Sequence, residues 1–379
     1  MSKRNTTLSK FDPNRVPDTQ GIKYAGSKLK LLPHILSTVS ELPVNSVFDG
    51  FSGSTRVSQA FAQCNYEVTS SDISHWSYVF GQAYLLNKKK SKEYQSLIDH
   101  LNSVDPIDGW FTDNYGGECY SGSSIQDNGL KKPWQNKNTR KLDGIREEID
   151  RLGLDDHTKS VALTSLILAM DKVDNTLGHF TSYLKDWSSR AYNDVNLEVP
   201  KLFRNTKDHR VVRGDVFDII PSVETDLAYL DPPYGSNNEK MPPSRVRYQS
   251  YYHIWTSIIL NDKPDIFGKA GRREDTRDTK SGSVFEEFRS GDDGKFIAVN
   301  AIDLLIEKVQ SRFIALSYSS GGRATSNELH KILSKHGKLI KVVEIDYKKN
   351  VMAAMKWTND WLRDSDTPHR EFIFVIEKR

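Results

Sequence analysis

The stretch from Ser46 to Asp72 constrains the fold more than any other part of the chain. Ser46-Val47-Phe48-Asp49-Gly50-Phe51 reads as a strand buried on both faces, because it is a short apolar run bounded by turn residues. Ser52-Gly53-Ser54 predicts a tight turn, Thr55–Ala62 a helix, and Glu67–Asp72 a second strand ending in a carboxylate, with another helix through about Leu86. Strand, helix, strand, helix in so short a span opens a doubly wound parallel sheet, since each crossover returns the chain beside the strand it left.

The alternation then stops. Trp110 to Trp134 is rich in aromatics, Gly and Ser, and helical patterns appear near Gly144–Leu152 and Thr158–Val173, which together predict an insertion. Strand-like runs return at His209–Gly214, Thr225–Asp231, Phe313–Ser319, Leu339–Ile345 and Glu371–Ile376. Ahead of the first strand, Leu29, Leu32, Ile35, Leu36 and Val39 recur at near-helical spacing and predict a helix over Lys28–Leu42 despite Pro33, while residues 1–22 are polar and proline-interrupted and predict a loose arm. The expectation is an α/β chain with six or seven strands in one three-layer domain formed by residues 23–91 and 206–379, an insertion at 92–205, and an arm at 1–22.

Composition matters for the partner. Of 379 residues, 37% are apolar and 27% charged, which describes an ordered globular chain. Its net charge is only +3, so contact with nucleic acid would come from local patches: Lys88 to Lys92, Lys131-Lys132 through Arg140-Lys141, Lys201 through Arg213, and Arg272 to Lys280. Taken singly, each run also suits a solvated face. Two cysteines, Cys64 and Cys119, make no disulfide framework and favour a reduced cytoplasm. No apolar run approaches the ~20 residues of a membrane span, and Met1–Lys10 is polar, so a soluble, untargeted protein is expected.

Three segments carry chemistry. Asp231-Pro232-Pro233-Tyr234 follows the apolar run Leu227–Leu230, and two prolines force the chain out of the sheet at the carboxyl edge, where open α/β folds bind ligands. A carboxylate and a proline-fixed carbonyl can accept both hydrogens of an exocyclic base amine, drawing that delocalised, weakly nucleophilic nitrogen toward tetrahedral geometry, while Tyr234 offers a stacking face. Phe51-Ser52-Gly53-Ser54 sits between strand and helix, with Asp72 closing the next strand, an arrangement that lets backbone approach a nucleoside while the acid binds ribose hydroxyls. Only Gly53 supplies the turn, so a pyrophosphate loop is disfavoured and a phosphate-free ligand such as S-adenosylmethionine fits better. Lys23-Tyr24-Ala25-Gly26-Ser27-Lys28 places a glycine hinge between two lysines and an aromatic. Alone, each segment also suits a plain strand exit, a plain strand-turn-helix or a basic turn.

In this order, KYAGSK at 23–28, FSGST at 51–55 and DPPY at 231–234, with RGDVFD at 213–218, the chain resembles the Dam-like (D12 class) DNA adenine-N6 methyltransferases. The resemblance covers about half the chain and implies a Rossmann-like S-adenosylmethionine-dependent methyltransferase sheet carrying a mostly helical target-recognition insertion. It implies that Tyr24 and Lys28 line the cofactor pocket, Phe51 and Gly53 shape its floor, Asp72 holds the ribose, Asp215 the cofactor adenine with Phe217 stacking on it, and Asp231 through Tyr234 the target base. Thr55 stands where the family has its second glycine.

Methyl transfer to a base inside duplex DNA requires base flipping, and the insertion would grip the neighbouring DNA. Lys131, Lys132 and Arg140 are the candidate phosphate contacts, and the insertion also offers Trp110, Phe111, Tyr115, Tyr120, Trp134, Tyr183 and Trp187; Asp265–Asp293, basic and Gly-rich, is a second candidate surface. A cognate restriction endonuclease acting on the same site is a candidate partner. His75 and His253 read as ordinary histidines, and no metal-ligand spacing, GxSxG or phosphate loop is present. Alternatives stay open: N4-cytosine methylation, served by similar acid-Pro-Pro-aromatic motifs; RNA or protein-amide methylation, disfavoured by Asp in place of Asn before the prolines; and a catalytically silent DNA-binding module.

Overall fold

The computed structural model describes residues 15–235, 247–277, 280, 282–346 and 370–379. Strands β1 (Ser46–Asp49), β2 (Glu67–Asp72), β3 (Arg210–Arg213), β4 (Leu227–Leu230), β5 (Phe313–Ser319), β6 (Gly337–Asp346) and β7 (Arg370–Lys378) form one seven-stranded sheet in the order 3-2-1-4-5-7-6. The first five run parallel, and β7 lies antiparallel between β5 and β6.

Period-two patterning builds both helical layers from the same strands. Val47, Leu227, Tyr229, Phe313, Ala315, Ile373 and Val375 face helices α1 (Leu32–Ser40) and α2 (Arg56–Gln63). Their neighbours Phe48, Ala228, Leu230, Ile314, Leu316, Phe374 and Ile376 face the opposite layer. Being covered on both sides is why the central strands read as continuous apolar runs. Pro33 sits in the first turn of α1, where a missing N–H costs nothing, and a separate 3₁₀ turn at Lys28–Lys30 precedes it; the expected single helix from Lys28 is thus two elements. Within the stretch expected as a loose arm, residues 18–22 pack on α2: Gln20 N donates to Gln59 Oε1 at 3.0 Å, the Arg56 guanidinium holds the carbonyls of Thr19 and Gly21, and Ile22 is buried, while residues 1–14 lie outside the described residues.

Helix α3 (His75–Leu85) leads from the sheet into a second core formed by α4 (Gln95–Ser103), α5 (Trp110–Tyr115), α6 (Asn136–Arg151) and α7 (Asp156–Lys172). Most of the insertion's aromatics are structural: Phe111, Tyr115, Trp134, Tyr183 and Trp187 are buried, whereas Tyr120 is 49% exposed. This core continues past residue 205. After the short α8 (Val216–Ile219) and α9 (Tyr248–Tyr251), helix α10 (His253–Leu260) packs into it, and Arg146 Nε of α6 donates to the Ile258 carbonyl at 2.6 Å. Tyr183 and Tyr115 reach the carbonyls of Ala270 and Gly271 at 2.6 and 2.7 Å, pinning the antiparallel pair Ile266–Phe267 and Arg272–Arg273. Helices α11 (Ile297–Lys308) and α12 (Ser326–His336) complete the layer opposite α1 and α2.

The strand order reverses between β1 and β4, since β1 leads outward to β2 and β4 leads outward to β5 on the other side. A crevice opens above the carboxyl ends of strands at such a switch point.

Candidate active site

Three chain segments meet in that crevice, each positioned by the way it leaves its strand. Beyond β1, Gly53 turns with φ +47°, and a Cβ there would lie 3.2 Å from the Tyr24 ring. Thr55, in the place of the family's second glycine, is also left-handed at φ 59° and fully buried. A β-branched residue is strained in this region, and the strain is held by two bonds: Thr55 Oγ1 donates to the Ser54 carbonyl at 2.8 Å and accepts from Gln59 Nε2 at 3.0 Å. At the end of β2, Asp72 accepts the Gly53 N–H on one oxygen and the Ser74 N–H on the other, each at 2.8 Å, which ties the two strand-exit loops together. Burial raises its carboxyl pKa, opposed by those same N–H groups.

Beyond β4 the chain leaves as Asp231-Pro232-Pro233-Tyr234 and meets Lys28. The buried Lys28 ammonium lies 3.0 Å from Asp231 Oδ1, 3.5 Å from Glu371 Oε2 and 3.1 Å from the Tyr234 hydroxyl. Burial by itself would lower the lysine's pKa, but Asp231, Tyr234 and Glu371 raise it well above the ordinary ammonium value, so Lys28 stays charged. Burial pushes the Asp231 carboxyl up to about 6, with Lys28 pulling it down and Glu371 pushing it further up. Tyr234 also packs at a tilt on Tyr318, ring centroids 5.3 Å apart.

The third segment closes the side wall. Tyr24 stacks on Tyr252 at 4.8 Å, and the Ala25 N–H donates to the Tyr252 hydroxyl at 2.7 Å. Lys23 turns the other way, 2.8 Å from Asp174 at the end of α7, where Arg190 is also paired with that carboxylate at 2.8 Å. The turn that holds the pocket aromatic is therefore anchored in the helical core.

The resulting cleft, about 320 Å³, is lined by Tyr24, Lys28, Phe51, Gly53, Asp72, Asp215, Phe217, Asp231, Pro232, Pro233 and Tyr234, so every residue expected at the cofactor or target base falls in one place. Asp215 caps α8 by accepting the Phe217 N–H at 2.8 Å. Phe217 stacks on Phe285 at 5.5 Å, and Phe51 meets the edge of Phe285 at 5.3 Å.

The cleft also holds residues that the sequence reading missed: Asp49, Tyr248, Phe285 and Glu286, with Glu371 behind Lys28. Asp49 had a local signal, being a lone acid in an apolar strand. Its carboxyl is pushed up to about 7 by burial, against a 2.6 Å hydrogen bond from Ser58. The others are brought in by tertiary packing from distant sequence and had none.

The expected phosphate contacts lie elsewhere and do not behave alike. Lys131 is exposed, and Arg140 is exposed and paired with Asp108 at 2.9 Å. Lys132 is buried, with its ammonium donating to the Asn114 carbonyl at 2.7 Å, so it serves the fold and not the surface. In the second candidate surface, Arg273 is likewise buried against Asp262 and Asp275. His253 is buried beside the Phe180 carbonyl, and burial drives its pKa down to about 3. Among the described residues no group of His, Cys, Asp or Glu side chains is placed to hold a metal ion.

A family model for the D12 class N6 adenine-specific DNA methyltransferases matches residues 24–302, spanning the cleft from Tyr24 to Phe285. The chain belongs to this family. It is a site-specific DNA methyltransferase directed at N6 of adenine, and the family implies S-adenosylmethionine as methyl donor. The alternatives of N4-cytosine methylation and of a silent DNA-binding module give way to this assignment. Among curated relatives, the type II methyltransferase M.NlaIII of Neisseria lactamica is 27% identical, covering 94% of this chain and 99% of its own. The modification methylase StsI of Streptococcus sanguinis is 30% identical over 86% of this chain, and the type II methyltransferase M.FokI of Planomicrobium okeanokoites is 27% identical over 94%. The chain spans nearly all of the first relative but only 48% and 53% of the other two.

Proposed function

We propose that this methyltransferase holds S-adenosylmethionine and a flipped adenine together in the cleft above β1 and β4, and that Asp231 is the carboxylate that receives the target amine. The observation that carries the reading is the junction at Lys28, where the KYAGSK turn, the DPPY exit and the carboxyl end of β1 border one cleft.

The side chains present suit a cationic nucleoside. Basic groups bordering the cleft are already engaged, Lys28 with Asp231 and Glu371, Arg56 with backbone carbonyls and Lys280 with Glu274, while Asp49 and Asp72 add acidic character. Asp72 keeps lone pairs for ribose hydroxyls beyond the two it gives to backbone N–H groups, Asp215 and Phe217 border the adenine end, and Tyr24, Phe51 and Gly53 form the walls. When bound, S-adenosylmethionine supplies a methyl group on a positively charged sulfur. Asp231 then accepts an N–H of the amine together with the Pro232 carbonyl, aligns its lone pair and stabilises positive charge developing on nitrogen. Tyr234 provides a face for the flipped ring.

Residues 92–205, joined by the 247–277 segment that shares their core, act as the target-recognition body, with Lys131 and Arg140 among its phosphate contacts. The printed names of the relatives, type II methyltransferase and modification methylase, support a place beside a restriction endonuclease of the same specificity. Two free cysteines, and no helix among the described residues long and apolar enough to cross a membrane, accord with action in the cytoplasm. Calorimetric titration with S-adenosylmethionine tests the cofactor assignment: one site per chain without DNA is expected, and no binding heat together with no methylation of mixed-sequence duplex would overturn it.

A further inference from the structure

Glu371 lies outside the residues matched by the family model and is separated from the DPPY exit by 137 positions, yet it touches the same lysine. The topology explains how. Because β7 is antiparallel, its beginning falls at the carboxyl edge of the parallel strands, and Glu371 pairs in register with Ser319 at the end of β5. Its side chain is buried, with Oε2 3.5 Å from Lys28 Nζ and Oε1 accepting the Tyr234 hydroxyl at 3.4 Å. A buried carboxylate at an active-site rim is costly unless it serves a partner, and here the partner is already paired with Asp231.

We infer that Glu371 is a positioning residue for methyl transfer: it shares the Lys28 ammonium with Asp231, so that Lys28 fixes the catalytic carboxylate and Tyr234 without neutralising the site. The charge count makes the argument. Asp231 and Lys28 alone would be a neutral pair, with the lysine compensating the carboxylate at 3.0 Å and leaving little net charge for a nitrogen that turns positive as it is methylated. Two carboxylates around one ammonium leave the cluster at one net negative charge. The inference rests on Asp231 being the carboxylate that receives the amine.

Other groups face Asp231. Tyr24, Tyr229, Tyr234 and Tyr248 surround it as hydroxyls, and the carboxyl of Asp49 on β1 feels its charge. Of these, Tyr234 also touches Glu371, and the amide oxygen of a glutamine at 371 can still accept its hydroxyl, so Glu371→Gln isolates the effect of the glutamate's charge.

The test is Glu371→Gln, with single-turnover methylation of duplex DNA followed from pH 5 to 8 at saturating S-adenosylmethionine, beside wild type, Asp231→Asn and Lys28→Met. Removing a negative neighbour makes Asp231 a stronger acid, so the acid limb of the rate should move to lower pH in Glu371→Gln. Removing the ammonium should move it up in Lys28→Met. At pH 8 Glu371→Gln should be slower by about tenfold, the equivalent of roughly one pKa unit of charge stabilisation, with S-adenosylmethionine and DNA affinities within twofold of wild type. Glu371→Asp keeps the charge and should keep the limb in place. If Glu371→Gln does not fold, Lys28→Met/Glu371→Met replaces the buried pair by apolar atoms of similar volume, and its limb should lie below that of Lys28→Met alone. A limb unmoved in Glu371→Gln, or moved equally in Glu371→Asp, overturns the inference. Wild-type turnover by Asp231→Asn would instead overturn the reading on which it rests, so the two failures are distinguishable.

Discussion

Asp231→Asn changes one atom type in a site where a single ammonium, Lys28, contacts two carboxylates. The amide retains an acceptor oxygen and the proline-fixed backbone beside it, so a flipped base still has a place to dock. What disappears is the negative charge next to the nitrogen, leaving Lys28 with Glu371 alone as a neutral pair at 3.5 Å. A fixed charge stabilising a developing charge in a pocket closed to water is worth on the order of 10²–10³ in rate, or about 3–4 kcal/mol, and that is the loss expected at pH 8. The change should fall on the chemical step and leave DNA and cofactor affinity within a few-fold, the pattern of an interaction made in the transition state. A pH signature accompanies it. The wild-type Asp231 carboxyl titrates at about 6, so its ionised fraction, and the rate, should fall as pH drops through 6, whereas the residual rate of Asp231→Asn should lack that limb. Single-turnover methylation with both ligands saturating reads all of this. A variant rate close to wild type would show that the carboxylate is structural.

Three further outcomes follow from particular contacts. Asp72→Ala strands the N–H groups of Gly53 and Ser74 as well as removing a ribose acceptor, so calorimetry should show S-adenosylmethionine affinity reduced by roughly 10- to 100-fold with DNA binding in its absence intact; unchanged affinity would remove Asp72 from the cofactor site. Thr55→Ala keeps the left-handed backbone but loses the bond from Gln59 and should destabilise by about 1 kcal/mol. Thr55→Gly relieves ~1–2 kcal/mol of strain against that loss and a more flexible unfolded chain, so it should melt above Thr55→Ala, and the reverse order would contradict a strained Thr55. Lys131→Ala should reduce the slope of log DNA affinity against log salt by about one, while Lys132→Ala should lower the melting temperature and leave the slope alone; the opposite pattern would move the interface.

What the sequence made legible was local. Residues 67–72 and 313–319 are strands at the expected limits because their patterns are unambiguous and their boundaries chemically marked, and the exits at Gly53 and Asp231 lie where turn chemistry put them. The helix expected over Lys28–Leu42 despite Pro33 starts only at Leu32, where the proline sits comfortably in a first turn. Less visible was anything depending on which strand lies beside which. Glu371 is an acid at the start of an apolar run, and only the reversal of β7 carries it to Lys28. Phe285 and Tyr248 lie in a stretch with no regular period and reach the cleft through packing. Charge runs misled in one respect: Lys132, beside the exposed Lys131, threads its stem into the core to reach a carbonyl. The insertion's aromatics, offered as contacts for bases, mostly build its interior, since a helical body of this size needs a core before it can present a face.

The central claim is that the cleft above β1 and β4 delivers a methyl group from S-adenosylmethionine to the amine of adenine. The most direct test is incubation of the protein with mixed-sequence duplex DNA and methyl-labelled S-adenosylmethionine, then digestion to nucleosides and separation of the labelled products. Label in N6-methyladenine, abolished or strongly reduced by Asp231→Asn, is the result expected. Label in N4-methylcytosine, or N6-methyladenine formed equally well by Asp231→Asn, would contradict it.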